Sequence, residues 1–112
     1  MELENLNNRT LKELDACSTL CNICYNACLQ EKDISMMVRC IELNRDCAEM
    51  CHLAASIIAR SSELSDKVLD LCAEICTACA SECEKHDFDH CRKTAQVCRT
   101  TAEICRSPHV VH

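Results

Sequence analysis

Cysteine recurs along this chain on the period of an α-helix. Cys17, Cys21, Cys24 and Cys28 follow the spacing CxxxCxxCxxxC, and Cys72, Cys76, Cys79 and Cys83 repeat it. Steps of four, three and four hold side chains on one helical face. At 100° per residue each quartet spans about 60° of arc, a narrow stripe of thiols. Cys40, Cys47 and Cys51 carry the theme in a second segment, and Cys91, Cys98 and Cys105 in a fourth. All fourteen cysteines of the chain lie on these four stripes. The spacing predicts helices that share a sulfur core.

The rest of the composition agrees with an all-α chain. There is no glycine and one proline in 112 residues. Strand turns, nucleotide-binding loops and left-handed helix caps all lean on glycine, so Rossmann and P-loop chemistry are excluded. Four periodic segments run over Asn8–Gln30, Ser35–Arg60, Ser62–Lys85 and Phe88–Arg106. Asp33, Ser62 and Asp87 are the expected N-caps, and Pro108 ends the last helix before a short tail. Short connections force antiparallel neighbours, so the expected architecture is one domain over residues 1–112, an up-down-up-down four-helix bundle. The repeated quartet makes it look like two related helical hairpins.

Antiparallel order separates two ends. Cys28, Met36, Met37, Cys83, His86, His90 and Cys91 gather at one, a mouth rich in soft donors. Leu3, Leu6, Leu11, Leu14, Ile57, Ile58, Leu64, Val68 and Leu69 gather at the other, a hydrocarbon plug. The formal net charge of −6 argues against nucleic acid as a partner. No run of about 18 apolar residues is available to span a membrane. The first residues show no basic and apolar leader pattern, so the expected compartment is the cytoplasm, where thiols stay reduced.

A single free cysteine is a small buried hydrophobe that needs no explanation. Fourteen on aligned stripes need one, because alanine or leucine would pack as well without the oxidation hazard. Disulfides suit the pattern poorly, since thiols four apart on one helix point the same way. Thiolates select Cu(I), zinc or iron–sulfur clusters. Buried thiolates demand charge compensation. Zinc tetrathiolates would leave two negative charges apiece, whereas one monovalent ion per thiolate leaves the core near neutral. Cu(I) also accepts two or three sulfurs, so a pair four residues apart, with Cβ atoms about 5–6 Å apart, can bracket one ion. A continuous seam singles out no quartet for an iron–sulfur cluster. Multiple Cu(I) ions are therefore the favoured cargo. A zinc- or cadmium-buffering protein like a metallothionein is one alternative, and a thiol redox or disulfide-stabilised structural bundle is the other. No base or substrate pocket is evident, so no enzyme activity is expected.

Ser81-Glu82-Cys83-Glu84-Lys85-His86, His90-Cys91 and the paired quartets resemble the cytosolic copper storage proteins. The segments Asp46–Cys51 and Leu71–Cys76 are similar to patterns of that family too, and the likeness spans about Cys17 to Cys105. The resemblance implies storage of many Cu(I) ions by core cysteines, assembly into a homotetramer, and uptake at an end bearing His or Met. Many members have cysteine where this chain has Thr94 and Thr101, and often near Thr10 and Leu14. That implies a smaller capacity than the richest members, on the order of fourteen ions at one per thiolate.

Single residues are read by position. His86 falls on the face of Cys76, Cys79 and Cys83, and His90 lies beside Cys91, so both are candidate ligands at the mouth. Met36 projects in register with Cys40 and Cys47 and offers a thioether. Met37 and Met50 read as packing. Asn44 lies near the second stripe, where a buried amide would need partners. His52 points outward, and His109 and His112 belong to the tail.

Overall fold

The computed structural model describes residues 2–107, with side chains from residue 8 onward. Leu3 and Leu6 of the expected plug, and Pro108, His109 and His112 of the expected tail, lie outside the described side chains. Four helices follow in order: α1 (Glu2–Leu29), α2 (Val38–Ala59), α3 (Ser65–Cys83) and α4 (Asp89–Arg106), with a 3-10 turn over Ile34–Met37. The first therefore begins earlier than the cysteine pattern alone predicts, and the second and third begin later.

Helix α1 packs on α2 and α4, and α3 packs on the same two, with the hairpin pairs α1–α2 and α3–α4 in the most extensive contact. The result is the expected antiparallel four-helix bundle, 48 Å long and about 20 Å across. Most buried positions hold cysteine or alanine. Cys21, Cys47, Cys76 and Cys98 meet on the axis, and Ala48, Ala73, Ala80 and Ala95 flank them. Small side chains let helices approach closely but bury modest apolar area each. The missing anchorage comes at the far end. Leu14, Ile58 and Leu69 are buried there, each contributing about 1.5–3 kcal/mol. Leu11, Ile57 and Val68 of the expected plug are partly buried, while Leu64 is exposed.

A chain without glycine must end its helices by other means. Helix α1 closes on a 3-10 turn, with the Gln30 and Glu31 amides donating to Ala27 and Cys28. The α3 end does the same through Lys85 to Glu82 and His86 to Cys83. Helix α2 instead ends in a Schellman motif. Ser61 stands at φ 54°, and the amides of Ser61 and Ser62 donate to Ile58 and Ile57.

The expected caps are not used as such. Asp33 holds the N-cap position of the 3-10 turn, but its carboxylate accepts from the Ser35 hydroxyl and makes no cap bond; Asp87 pairs with Arg92, and Phe88 takes the N-cap position of α4. The Ser62 hydroxyl does take the Leu64 amide, but α3 starts only at Ser65. A side chain in the left-handed region is disfavoured by about 1–2 kcal/mol, which glycine avoids at the cost of a freer unfolded chain. Ser61→Gly should therefore stabilise the apoprotein by about 0.5–1 kcal/mol in denaturant unfolding, and a destabilised variant would refute this account of the cap.

Candidate metal centre

All fourteen thiols are free, and all are buried. Their sulfurs touch across helices as well as along them. Cys17 on α1 lies 3.9 Å from Cys47 on α2 and 3.8 Å from Cys98 on α4. Cys47 in turn lies 3.6 Å from Cys76 on α3, and Cys51 lies 3.8 Å from both Cys72 and Cys76. Cys21 reaches Cys98 at 3.7 Å. These seven, with Cys105 held near Cys72, form an inner cluster.

A mouth cluster lies toward the other end. Cys24 is 3.8 Å from Cys28, Cys28 is 3.9 Å from Cys40, and Cys40 is 3.7 Å from Cys83. Cys91 joins it, since Cys24, Cys28, Cys40 and Cys91 have sulfurs all within 4.8 Å of one another. Two inner quartets meet the same criterion, Cys17-Cys47-Cys51-Cys76 and Cys17-Cys21-Cys47-Cys98. An ion about 2.3 Å from each of two sulfurs spans at most about 4.6 Å, so each touching pair is within bridging reach of one ion. The two inner quartets share Cys17 and Cys47. Separate tetrahedral ions cannot fill both, so full use of these sulfurs requires bridging thiolates.

Proton sharing among the sulfurs divides them electrostatically. The hydrogen bond from Cys40 leads in lowering Cys24 to about 6, and the bond to Cys24 leads in lowering Cys83 to about 4. Burial first, with the neighbouring Cys24 charge, pushes Cys28 up to about 12. In the inner cluster Cys17 is held low by Cys21 and its other thiol neighbours, while Cys21, Cys51 and Cys98 are pushed up. A few sulfurs can carry negative charge if their neighbours keep protons. Ionising the remainder in this dry core requires cations.

The mouth residues divide unlike the expectation. His90 turns inward, with Nδ1 at 3.4 Å from Cys24, 3.5 Å from Cys91 and 4.0 Å from Cys28. Its Nε2 pairs with Glu31 at 2.9 Å, and Phe88 stacks on its ring at 5.5 Å. The register expected for His86 is not adopted. Helix α3 stops at Cys83, so His86 sits in the following turn with its Nε2 on Glu82 at 2.9 Å. Glu82 also meets Arg39 and Lys85; burial raises its carboxyl, but His86 and Lys85 outweigh that and hold it below the ordinary range.

Met36 likewise leaves its expected register. The 3-10 turn before α2 rotates it outward to 68 % exposure and puts Met37 inside at 2 %. Met36, Met37, His86 and Phe88 line a groove of about 510 Å³ at this end, together with the acidic Glu31, Asp33 and Asp87 and the basic Lys32 and Lys85. Met50 is buried and His52 exposed, as their positions predict.

Three polar residues stand on the stripes in place of thiols. Asn44 and Thr101 are fully buried and Thr94 nearly so. The hydroxyls of Thr94 and Thr101 donate to the carbonyls of His90 and Val97. Asn44 Nδ2 donates to the Cys40 carbonyl at 2.8 Å and faces the sulfurs of Cys40 and Cys83 at 3.3 and 3.6 Å. The carbonyl partner fixes which way the amide points, and Oδ1 is left as a buried acceptor with no partner. The sequence signal for Asn44 was its place in the step Cys40-Asn44-Cys47-Cys51, the same spacing as the cysteine quartets.

Comparison with known proteins follows the same residues. The profile of a family described as copper storage protein matches residues 3–110. The uncharacterized cysteine-rich protein YhjQ of Bacillus subtilis (strain 168) is 41% identical over 80 residues, 71% of this chain and 74% of its own. The solved Cu(I)-bound copper storage protein BsCsp3 is 39% identical at a TM-score of 0.86, over 90% of this chain and 95% of that one. A copper storage protein from Streptomyces lividans, loaded with 10 copper equivalents, is 31% identical at a TM-score of 0.88, over 91% and 82%.

Burial lowers the His90 pKa, but hydrogen bonds to Cys24 and Glu31 outweigh it and raise the value above 6.5. A raised folded-state pKa stabilises the fold fully below pH 6.5 and loses that contribution as pH rises through the folded value. NMR titration of the apoprotein should place His90 above 6.5, and Glu31→Gln should bring it down. Titration of wild-type His90 at or below 6.5 would contradict the geometry.

Proposed function

Because the chain belongs to the copper storage protein family, we propose that it stores Cu(I) in the cytosol, holding many ions on its core thiolates. The observation that carries the reading is the two clusters of buried sulfurs, whose neighbours at 3.6–4.0 Å are drawn from all four helices. Each ion bound displaces a thiol proton, so a monovalent cation leaves the core charge unchanged. A divalent ion would need two thiolates to balance, and since the inner quartets share Cys17 and Cys47, tetrahedral ions could fill only one of them beside the mouth quartet and would leave the other sulfurs unused. On this reading all fourteen cysteines are ligands, from Cys17 to Cys105. Oδ1 of Asn44, unpaired and buried among them, adds one neutral donor.

Ions enter at the end that carries His90, His86 and Met36. The exposed thioether of Met36 and the His86 ring line the groove, and His90 Nδ1 lies 3.4 Å from Cys24. Among the described residues, Leu14, Ile58 and Leu69 close the far end with hydrocarbon. The described helices include none long and apolar enough to cross a membrane. Ile23, Leu53 and Leu71 leave about half of their surface exposed on outer helix faces, which supports the homotetramer that the family resemblance implies. No catalytic step is part of this function.

Titration of reduced apoprotein with Cu(I) against a competing chelator should saturate on the order of fourteen equivalents, one per thiolate. Saturation at one or two equivalents would overturn the storage reading, and preferential loading with zinc at one ion per four thiols would replace it.

A further inference from the structure

Both mouth histidines have Nε2 on a carboxylate at 2.9 Å, His86 on Glu82 and His90 on Glu31. The two pairs differ in everything else. Glu82 stands one turn before His86 in the same hairpin and is shared with Arg39 and Lys85. Glu31 comes from the other hairpin, on the connection after α1, and ties that connection to the first turn of α4. On the opposite edge of the ring, His90 Nδ1 faces the sulfurs of Cys24, Cys91 and Cys28 at 3.4, 3.5 and 4.0 Å.

An imidazole can present either edge, and only one edge serves here. Turning the His90 ring over exchanges Nδ1 for Cδ2 and Nε2 for Cε1, so the contacts with the sulfurs and with Glu31 would be lost together. The Nε2–H bond to Glu31 therefore selects the orientation in which a nitrogen meets the thiols. Phe88 stacks on the ring with the planes 4° from parallel, which limits its tilt. An ion about 2.1 Å from a ring nitrogen and about 2.3 Å from a sulfur spans up to about 4.4 Å. Nδ1 is thus within reach of an ion shared with any of the three sulfurs, without a change of rotamer. A donor ordered beforehand spares the incoming ion that ordering cost.

We infer that Glu31 is a positioning residue for capture of the first ions, holding His90 with Nδ1 turned on Cys24, Cys28 and Cys91 and acting on the cargo through that ring alone. This rests on the storage reading above, with ions entering at this end. A clasp that only joined the two connections would stabilise the apoprotein and leave capture untouched.

The test is a double-mutant cycle on capture of Cu(I) by reduced apoprotein from its bicinchoninate complex, followed anaerobically by stopped flow. Glu31→Leu, which keeps the bulk and loses both oxygens, should lower the rate constant for the first equivalents about ten- to a hundredfold. Its final capacity should match wild type. Glu31→Gln, whose amide oxygen can still accept from Nε2–H, should keep most of the wild-type rate. In a His90→Ala background Glu31→Leu should slow capture no further. Three results would refute the role and leave storage standing: wild-type capture by Glu31→Leu, equal slowing in the His90→Ala background, or Glu31→Gln as slow as Glu31→Leu. If wild type itself saturates at one or two equivalents, the storage reading fails and this role with it.

Discussion

Contact between thiols across the bundle axis is the interaction on which everything else depends. Four helices can bring sulfurs to 3.6–4.0 Å only if the inward residues are small, and cysteine and alanine meet that condition. The packing that builds the site is thus the packing that builds the fold. A core of bulkier residues would separate the helices and break the sulfur contacts. A core of alanine would keep the helices close and bind nothing.

The division of labour between the ends follows from this. A sulfur interior contributes modest apolar burial per residue, and the branched side chains at the far end supply anchorage without ligands. The mouth, freed from that task, carries polar and ionisable groups. There Glu31 on the connection after α1, Phe88 before α4, and His90 on α4 lock together, with the ring aimed at the first sulfurs. A carboxylate on the far nitrogen of a ligating imidazole fixes both its tautomer and its direction. The electrostatics agree, since thiols that share protons are poised to exchange them for a monovalent ion.

Much of this was legible in the residues. The stripes required helices, glycine's absence excluded other classes, and the antiparallel order placed donors at one end and hydrocarbon at the other. What the pattern could not carry was the geometry of the connections. Helical extrapolation put His86 on the α3 stripe and Met36 on the α2 stripe, but α3 stops at Cys83 and a 3-10 turn precedes α2. Those two endings hand the inward places to His90 and Met37. Ser61 was missed for a related reason: a left-handed cap is expected at glycine, and here serine takes it. Asn44 was visible as a stripe position, yet its orphaned oxygen depends on a carbonyl partner that only coordinates reveal.

The central claim is that the metal lies inside the bundle, on the thiolates of all four helices. Anomalous diffraction at the copper edge, on crystals of protein loaded with several equivalents of Cu(I), tests it most directly. The account predicts a file of copper peaks along the bundle axis, among the sulfurs of Cys17, Cys47, Cys76 and Cys98 and of Cys24, Cys28, Cys40 and Cys91. Copper found only on surface histidines, methionines and carboxylates, with the core sulfurs empty or joined as disulfides, would contradict it.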